Sequence, residues 1–256
     1  MFQILSYINY WFHQVDEHSL HSPFLFDFYD SLIKKSATPS VEPIEKLRQK
    51  LLQTNETIQF EELGAGSQVE KSSQRRISKI AQYSTTPLKF SLFLRGFIEK
   101  YACKNVLELG TSLGINTLYL SEKADVRVTT IEGEPTISSM AQQHFHAFKR
   151  DNIRLLNNSI DEIIEKGVLD KHIFDLIYLD ANHQYEPTLL YFDYFQKRLT
   201  PNGVIIIDDI HWSKGMNNAW SEIIQQSEVS LSIDLFEAGL VFFNPELPRE
   251  NLILKF

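Results

Sequence analysis

The chain has 256 residues and a single cysteine, Cys103. One cysteine can form neither an internal disulfide nor a metal site of several thiolates, so a reducing compartment such as the cytoplasm is expected. An excess of basic residues is also missing, because 25 Lys and Arg stand against 33 Asp and Glu, for a net charge of -8. Since a dedicated nucleic-acid binder carries a basic face, we expect no nucleic-acid partner.

Long hydrophobic runs are absent too. Residues 1–12 are rich in aromatic side chains, but polar residues interrupt them well short of the ~20 apolar residues that a membrane-spanning helix needs. The same segment lacks the basic residues that open a signal peptide. We therefore expect no signal peptide, no membrane anchor and no membrane partner.

The sequence pattern changes near residue 95. Residues 1–95 are helical in pattern and broken by prolines, which predicts an N-terminal helical cap or lid. Residues 96–256 alternate apolar runs with helical segments and are predicted to form one α/β domain. Segment 61–67 imitates a nucleotide-binding loop but follows polar residues, so it is interpreted as a flexible loop over the ligand. The first part also contains an aromatic cluster, Trp11, Phe12, Phe24, Phe26 and Phe28. Core packing is the favoured interpretation of this cluster, and a substrate wall or a homodimer face is the alternative.

Seven strands are predicted in the second part. They cover residues 105–109, 126–132, 153–157, 174–180, 203–208, 229–235 and 240–244. Helical crossovers join the first five, which should therefore be parallel, whereas the short link Ala238-Gly239 allows only a hairpin between the last two. The expected fold is a Rossmann-like α/β sheet of seven strands, mostly parallel, with the last strand antiparallel.

The first of these strands runs into a glycine-containing turn. Glu108 is followed by Gly110, which lets the backbone turn sharply, and by Gly114, which lets the next helix approach closely. Such a turn leaves bare backbone facing a ligand. The dinucleotide pattern G-x-G-x-x-G would need glycines where Ser112 and Ile115 stand, so nicotinamide and flavin cofactors are disfavoured.

The spacing of this turn resembles motif I of the class I S-adenosylmethionine-dependent methyltransferases. Glu132, at the end of the next apolar run, stands where that family places its ribose-binding acid. A carboxylate can accept both hydrogens of a ribose diol, and Glu108 adds negative potential near a sulfonium cation. The resemblance covers residues 104–244 and implies S-adenosylmethionine as the cofactor. An ordinary α/β turn with Glu132 on the surface is the alternative.

The same resemblance implies further cofactor contacts. Thr111, Ser112 and Asn116 flank the turn and are expected to meet the methionine carboxylate. Asn158 and Ser159 follow the third strand, where the family's loop contacts adenine, although a helix cap explains them equally well. The complete set of predicted cofactor-binding residues is Glu108, Gly110, Thr111, Ser112, Gly114, Asn116, Glu132, Asn158, Ser159 and Asp180.

Acidic residues follow the fourth and fifth strands. Asp180 ends the fourth, and Asp208 and Asp209 end the fifth. Neighbouring parallel strands lie ~4.8 Å apart, and ligands of open α/β sheets bind at the carboxyl ends of strands. Carboxylates suit Mg²⁺, which lowers the pKa of a bound hydroxyl, so all three are predicted as magnesium ligands. The alternative is metal-free, with Asp209 capping a turn and Asp208 bonding a loop.

His183 is the predicted general base, because its ordinary pKa suits proton removal near neutral pH. The set resembles the metal-dependent O-methyltransferases of the catechol type. Those enzymes have Lys where His183 stands and Asp-Asn at Asp208-Asp209, and this chain is closer to the metal-dependent sugar O-methyltransferases of macrolide biosynthesis. The resemblance implies methyl transfer to an oxygen of a small molecule. The alternatives are a metal-free N- or RNA methyltransferase, a non-catalytic S-adenosylmethionine-binding protein, or His183 as an ordinary loop residue.

Overall fold

The computed structural model describes residues 1–34, 41–59 and 74–256. The chain divides into two compact units, one of Met1–Ser36 with Lys171–Phe256 and one of Ala37–Asp170. The predicted loop at 61–67 lies outside the described residues. The predicted cap over 1–95 stays a prediction.

Ten helices and ten strands are labelled in chain order within the described residues. The helices are α1 Phe2–His13, α2 Pro23–Phe28, α3 Glu42–Gln53, α4 Ile77–Tyr83, α5 Leu88–Lys100, α6 Ile115–Leu120, α7 Pro135–Ala147, α8 Ile160–Glu165, α9 Tyr185–Phe195 and α10 Lys214–Ile223. The strands are β1 Thr57–Gln59, β2 Gln74–Arg76, β3 Asn105–Leu109, β4 Arg127–Ile131, β5 Ile153–Leu156, β6 Phe174–Leu179, β7 Leu199–Asp208, β8 Leu231–Asp234, β9 Ala238–Phe242 and β10 Glu250–Ile253. A π-helical segment, Tyr29–Lys34, follows α2 directly.

In the unit of Ala37–Asp170, the strands β3, β4 and β5 lie side by side and parallel. Leu109 of β3 lies opposite Ile131 of β4, which lies opposite Leu156 of β5. Parallel strands covered on both faces read as nearly continuous apolar runs, which is why the sequence located all three. The glycine turn after β3 and the residues after β4 and β5 therefore leave at one edge.

In the unit of Met1–Ser36 and Lys171–Phe256, five strands follow the order β10-β8-β9-β7-β6. β6 and β7 are parallel, with Leu179 opposite Ile207. β9 is antiparallel to both neighbours, β7 and β8, while β10 is parallel to β8. The acidic segments after β6 and after β7 therefore leave their strands at the same edge.

The predicted α/β class with a mostly parallel sheet is confirmed. The strand predicted to be last, β9, is antiparallel as expected, but β10 follows it in the chain and is parallel to β8. Apart from the separate β1–β2 hairpin, the described residues contain eight strands rather than seven. The additional strand is β10, which begins with Glu250 and Asn251, both exposed. Two polar residues in a strand of four leave too little apolar pattern for the sequence to predict it.

The aromatic cluster near the N-terminus is only partly core. Phe28 is fully buried, and Phe24 packs edge-on against Phe242 of β9. Trp11 and Phe12 are 57% and 71% exposed, and Phe26 is also exposed. The core interpretation is therefore wrong for these three residues. A cluster of apolar residues suggests burial, but the sequence does not show which other part of the chain would cover it. No described helix is both long and apolar enough to cross a membrane.

Candidate functional site

The turn after β3 has the backbone geometry that its glycines were predicted to allow. Gly110 has φ 102° and Gly114 has φ 76°, values that favour glycine. The N–H groups of Gly110 and Thr111 both donate to the carbonyl of Ile131, each at 3.1 Å. A Cβ on Gly114 would lie 2.6 Å from the Phe145 ring of α7. Gly114 thus serves both the turn and the close packing of α7.

Replacing Gly114 by alanine is expected to destabilise the protein by about 2–4 kcal/mol, combining left-handed backbone strain with overpacking against Phe145. Denaturant unfolding measures the change. The control is Gly215→Ala in α10, where the nearest atoms to an added Cβ lie 3.6 Å away. That helical substitution is expected to be neutral or stabilising by up to about 1 kcal/mol. Equal effects of the two substitutions would contradict the packing argument.

Glu132 lies just beyond β4, and its carboxylate connects the residues after β4 to the glycine turn after β3. Its Oε2 accepts the N–H of Ser112 at 2.9 Å, and its Oε1 accepts the N–H of Glu134 at 3.0 Å. Burial raises the pKa of Glu132, although these backbone donors act in the opposite direction. Each carboxylate oxygen can accept about two hydrogen bonds. The Gly133 backbone also hydrogen-bonds this carboxylate, and the acceptor capacity that remains suits the hydroxyls of a ligand diol.

Glu108 has partners within the protein, and its predicted contribution to cofactor binding stays a prediction. It is buried, and its carboxylate accepts from Asn116 Nδ2 at 2.9 Å, from Thr117 Oγ1 at 2.5 Å and from Thr130 Oγ1 at 2.7 Å. These bonds join β3 to β4 and α6, so Glu108 orients the residues of the turn. Thr117 and Thr130 were not predicted. Their only signal in the sequence is a hydroxyl side chain among neighbours that are mostly buried.

Two polar atoms beside the turn have no partner within the described residues. They are the hydroxyl oxygen of Ser112 and Oδ1 of Asn116, and both are buried. The bond from Asn116 Nδ2 to Glu108 fixes the side-chain amide, so Oδ1 can only accept, whereas the Ser112 hydroxyl can donate. Buried polar atoms are rarely left unpaired. The pair suits a ligand that offers both an ammonium donor and a carboxylate acceptor.

The segment after β5 forms a helix cap. The Ser159 hydroxyl accepts the N–H of Glu162 at 3.1 Å, and the Glu162 carboxylate accepts the N–H of Ser159 at 3.3 Å, which is a capping box. Asn158 also donates to Glu162, at 3.4 Å. The helix cap thus accounts for Ser159, and an adenine contact by either residue stays a prediction.

In the other unit, Asp180 and His183 lie together after β6. His183 Nε2 is 3.5 Å from Asp180 Oδ1, and the hydroxyl of Tyr178 donates to Asp180 Oδ2 at 3.4 Å. The backbone is left-handed at Asn182 and His183, with φ 67° and 38°. Such conformations persist only where the surroundings enforce them and are common at functional sites. The sequence placed His183 near Asp180 but did not predict this backbone geometry.

Two carboxylates follow β7 in the same unit. Asp208 pairs with Ala238 of β9, and Asp209 leaves strand geometry with φ 56° while its N–H donates to the carbonyl of Glu237 at 2.6 Å. The side chains of Asp208 and Asp209 can therefore lie on the same side of the sheet, whereas successive side chains of a regular strand point to opposite sides. Asp209 does not cap α10, since the hydroxyl of Ser213 does so.

Burial and neighbouring charges shift the pKa values of Asp208, Asp209 and His183. Burial, followed by the charges of Asp180 and Asp209, raises the pKa of Asp208 well above its ordinary value. Burial raises the pKa of Asp209 to about 6, although the charge of His183 opposes it. Burial lowers the pKa of His183, but hydrogen bonding and charge from Asp180, with a smaller effect of Asp209, raise it overall.

The predicted magnesium ligands were Asp180, Asp208 and Asp209. Within the described ranges, no three His, Cys, Asp or Glu side chains are arranged to hold a metal ion. His183 lies between two of these carboxylates, with Nδ1 3.9 Å from Asp209 Oδ2. A protonated His183 would itself supply positive charge to the cluster. The donor arrangement in this structure therefore does not fit a three-ligand metal centre.

Residues 107–210 match a family model described as a methyltransferase domain. No curated protein matches the chain. Among solved structures, the O-methyltransferase from Bacillus cereus in complex with SAH is 17% identical, with 82% of this chain and 93% of that chain covered and a TM-score of 0.58. The O-methyltransferase TomG from Streptomyces achromogenes, involved in tomaymycin synthesis and in complex with SAM, is 17% identical, with 62% and 81% covered and a TM-score of 0.53. Cofactor-bound Rv0187 from MTB is 15% identical, with 88% and 99% covered and a TM-score of 0.63.

At these identities the solved structures show the fold, and the family model shows that residues 107–210 are similar to a methyltransferase domain. Together they confirm the predicted resemblance to the class I methyltransferases. They leave the roles of the individual site residues as predictions.

Proposed function

We propose that this chain, with its methyltransferase domain over residues 107–210, moves the methyl group of S-adenosylmethionine to an oxygen of a small molecule. The observation that carries the proposal is the pair of buried unpaired atoms, Ser112 Oγ and Asn116 Oδ1, beside the glycine turn. The description of similar proteins as O-methyltransferases supports oxygen as the acceptor atom. We place the reaction in a reducing compartment such as the cytoplasm, since Cys103 is buried and forms no disulfide.

The residues around the turn fit the chemical groups of this cofactor. The remaining acceptor positions of Glu132 suit the ribose diol. Asn116 Oδ1 suits the methionine ammonium, and the Ser112 hydroxyl suits the carboxylate. When bound, the cofactor supplies an activated methyl carbon attached to a sulfonium. Glu108 holds Asn116 in the required orientation.

His183 is the proposed general base. A neutral hydroxyl is a poor nucleophile, so its proton must be removed as the methyl group is transferred. A proton on Nε2 would point toward Asp180 Oδ1, and Nδ1 has no hydrogen-bond partner in the described part of the chain. The Nδ1 lone pair is thus the group that receives the proton. Asp180 stabilises the imidazolium that results.

We also propose that a divalent cation assists the reaction. What supports it is the gathering of Asp180, Asp208 and Asp209. Burial, together with nearby negative charge, raises the pKa of Asp208 and Asp209, and a bound cation would favour their charged forms. Binding would require these side chains to turn toward one point, since the described arrangement holds no three-ligand group. The base role of His183 does not depend on the ion.

Thermal unfolding with Mg²⁺ tests the cation. At a concentration ~100 times its dissociation constant, a bound ion should stabilise the parent by about 2.7 kcal/mol, and Asp208→Asn should abolish this response. The control is Asp193→Asn, an exposed carboxylate of α9 in the same unit. An unresponsive parent, or an equal response in Asp208→Asn, would remove the cation and leave a metal-free reaction.

Calorimetry with S-adenosylhomocysteine (SAH), the demethylated product, tests the cofactor. We expect one SAH to bind per chain, with transfer of methyl from S-adenosylmethionine to hydroxyl compounds in a product assay. Absence of any binding heat would overturn the proposal. Binding without transfer to any acceptor would favour a non-catalytic binding protein, and transfer only to nitrogen or to RNA would favour an N- or RNA methyltransferase.

A further inference from the structure

Helix α1 exposes a continuous apolar surface. The α1 stripe consists of Ile4, Leu5, Ile8, Trp11 and Phe12, which are between 45% and 71% exposed. Spacings of three, four, seven and eight residues place all five side chains on one side of the helix. Met1 and Tyr7 extend the surface at its margins. Isolated exposed apolar residues need no explanation, but a contiguous stripe does.

One margin and the other side of α1 are anchored, so the stripe is held in place. The hydroxyl of Tyr10 donates to the carbonyl of Leu254 at 2.6 Å, and burial raises the pKa of Tyr10 to about 12. Tyr7 packs edge-on against Phe236, with ring centroids 5.0 Å apart. Beyond the helix, the N–H of Val15 donates to the carbonyl of Ile253 in β10 at 2.8 Å. These contacts within one unit fix which side of α1 faces outward.

We propose that the α1 stripe is the contact surface between two copies of this chain, with α1 of one copy packed against α1 of the other. With Met1 and Tyr7 included, the exposed apolar side chains offer roughly 1,000 Å², against about 800 Å² per partner in a standard interface. The largest apolar patch of a typical monomer is about 300–600 Å². The area is therefore sufficient for a stable dimer.

The lack of Lys, Arg, Asp and Glu in α1 makes the stripe compatible with a second copy as the occupant. The chain carries a net charge of -8, so two copies repel each other over most of their surfaces. Residues 1–15 contain no Lys, Arg, Asp or Glu, so the stripe can meet its own copy without opposing like charges. Helices that lie on membranes carry Lys and Arg on their polar face. The polar positions of α1 include Gln3, Ser6, Asn9 and His13, and the helix contains no Lys or Arg to supply such attraction.

Light scattering on the full chain tests the proposal. The parent is expected at twice the 29.8 kDa mass of one chain, and the double variant Ile8→Glu, Phe12→Glu at that mass. In a symmetric pair each substitution occurs twice, so four carboxylates would lose water, weakening association at least about 100-fold. The control is Ile173→Glu, Leu190→Glu, which changes two residues of similar exposure elsewhere and should remain dimeric.

A milder double variant, Ile8→Ser with Phe12→Ser, and far-ultraviolet circular dichroism separate lost association from lost folding. Retained helicity and retained SAH binding in a monomeric variant support the proposal, and this result is distinguishable from failure of the cofactor proposal. A monomeric parent at tens of micromolar overturns it, as does a dimeric Glu variant. A monomeric parent that sediments with phosphatidylcholine vesicles through α1 would assign the stripe to a membrane surface instead.

Discussion

Replacing His183 by alanine is expected to lower kcat by about 10²- to 10³-fold while leaving the affinity for SAH within about twofold, because a general base acts only on the acceptor proton. His183→Gln should behave similarly, since an amide can hydrogen-bond but cannot take up the proton. Steady-state kinetics and calorimetry on the same preparations measure the two quantities.

His172 provides the matched control for this prediction. It precedes β6, at the end of the strand away from Asp180, and is likewise partly buried. His172→Ala should leave kcat within about twofold of the parent. An unchanged rate in His183→Ala, or an equal loss in both variants, would show that His183 is an ordinary loop residue.

The pH profile gives an independent readout of the same base. Asp180 raises the pKa of His183 above its ordinary value of about 6.5. A base is active when neutral, so kcat/KM should rise with pH through that elevated pKa and be lost below it. Asp180→Asn removes the favourable charge while burial continues to lower the pKa, so the acid limb should move to lower pH by about one unit. An acid limb that stays in place would contradict the pairing.

The strands and the glycine turn could be predicted from the sequence because their signals are local. β3 is a short apolar run bounded by Gly110, and Gly114 follows at the spacing that a strand-to-helix turn requires. The neighbouring positions of Asp180 and Asp208 followed from the rule that parallel strands end at one edge. These inferences needed only local sequence patterns and the order of the elements along the chain.

What could not be predicted depends on contacts between elements distant in sequence. The hydrogen bonds that Glu108 accepts from Thr117 and Thr130 come from another helix and another strand, and the sequence did not predict them. The left-handed backbone at His183 and Asp209 is likewise set by the surrounding fold. The aromatic cluster that includes Trp11 and Phe12 was visible in the sequence, but the sequence could not show whether these side chains pack inside the chain or face outward.

The second large effect is expected at Glu132. Its carboxylate already accepts the N–H groups of Ser112 and Glu134, and a ribose diol would fill its remaining acceptor positions. Glu132→Gln turns one acceptor oxygen into a donor, so a backbone N–H or a ribose hydroxyl loses its partner. Loss of hydrogen bonds to a charged group costs about 1.5–3 kcal/mol, which corresponds to a roughly 10- to 100-fold weaker affinity for SAH.

Glu134→Gln separates this binding effect from general damage to the turn. The Glu134 carboxylate caps α7 by accepting the N–H of Ile137 at 2.6 Å, so its loss should reduce stability by about 1 kcal/mol and leave SAH affinity nearly unchanged. Calorimetry and denaturant unfolding on both variants measure affinity and stability. If Glu132→Gln binds SAH as tightly as the parent, Glu132 serves only to hold the turn, and the ribose must be bound by other residues.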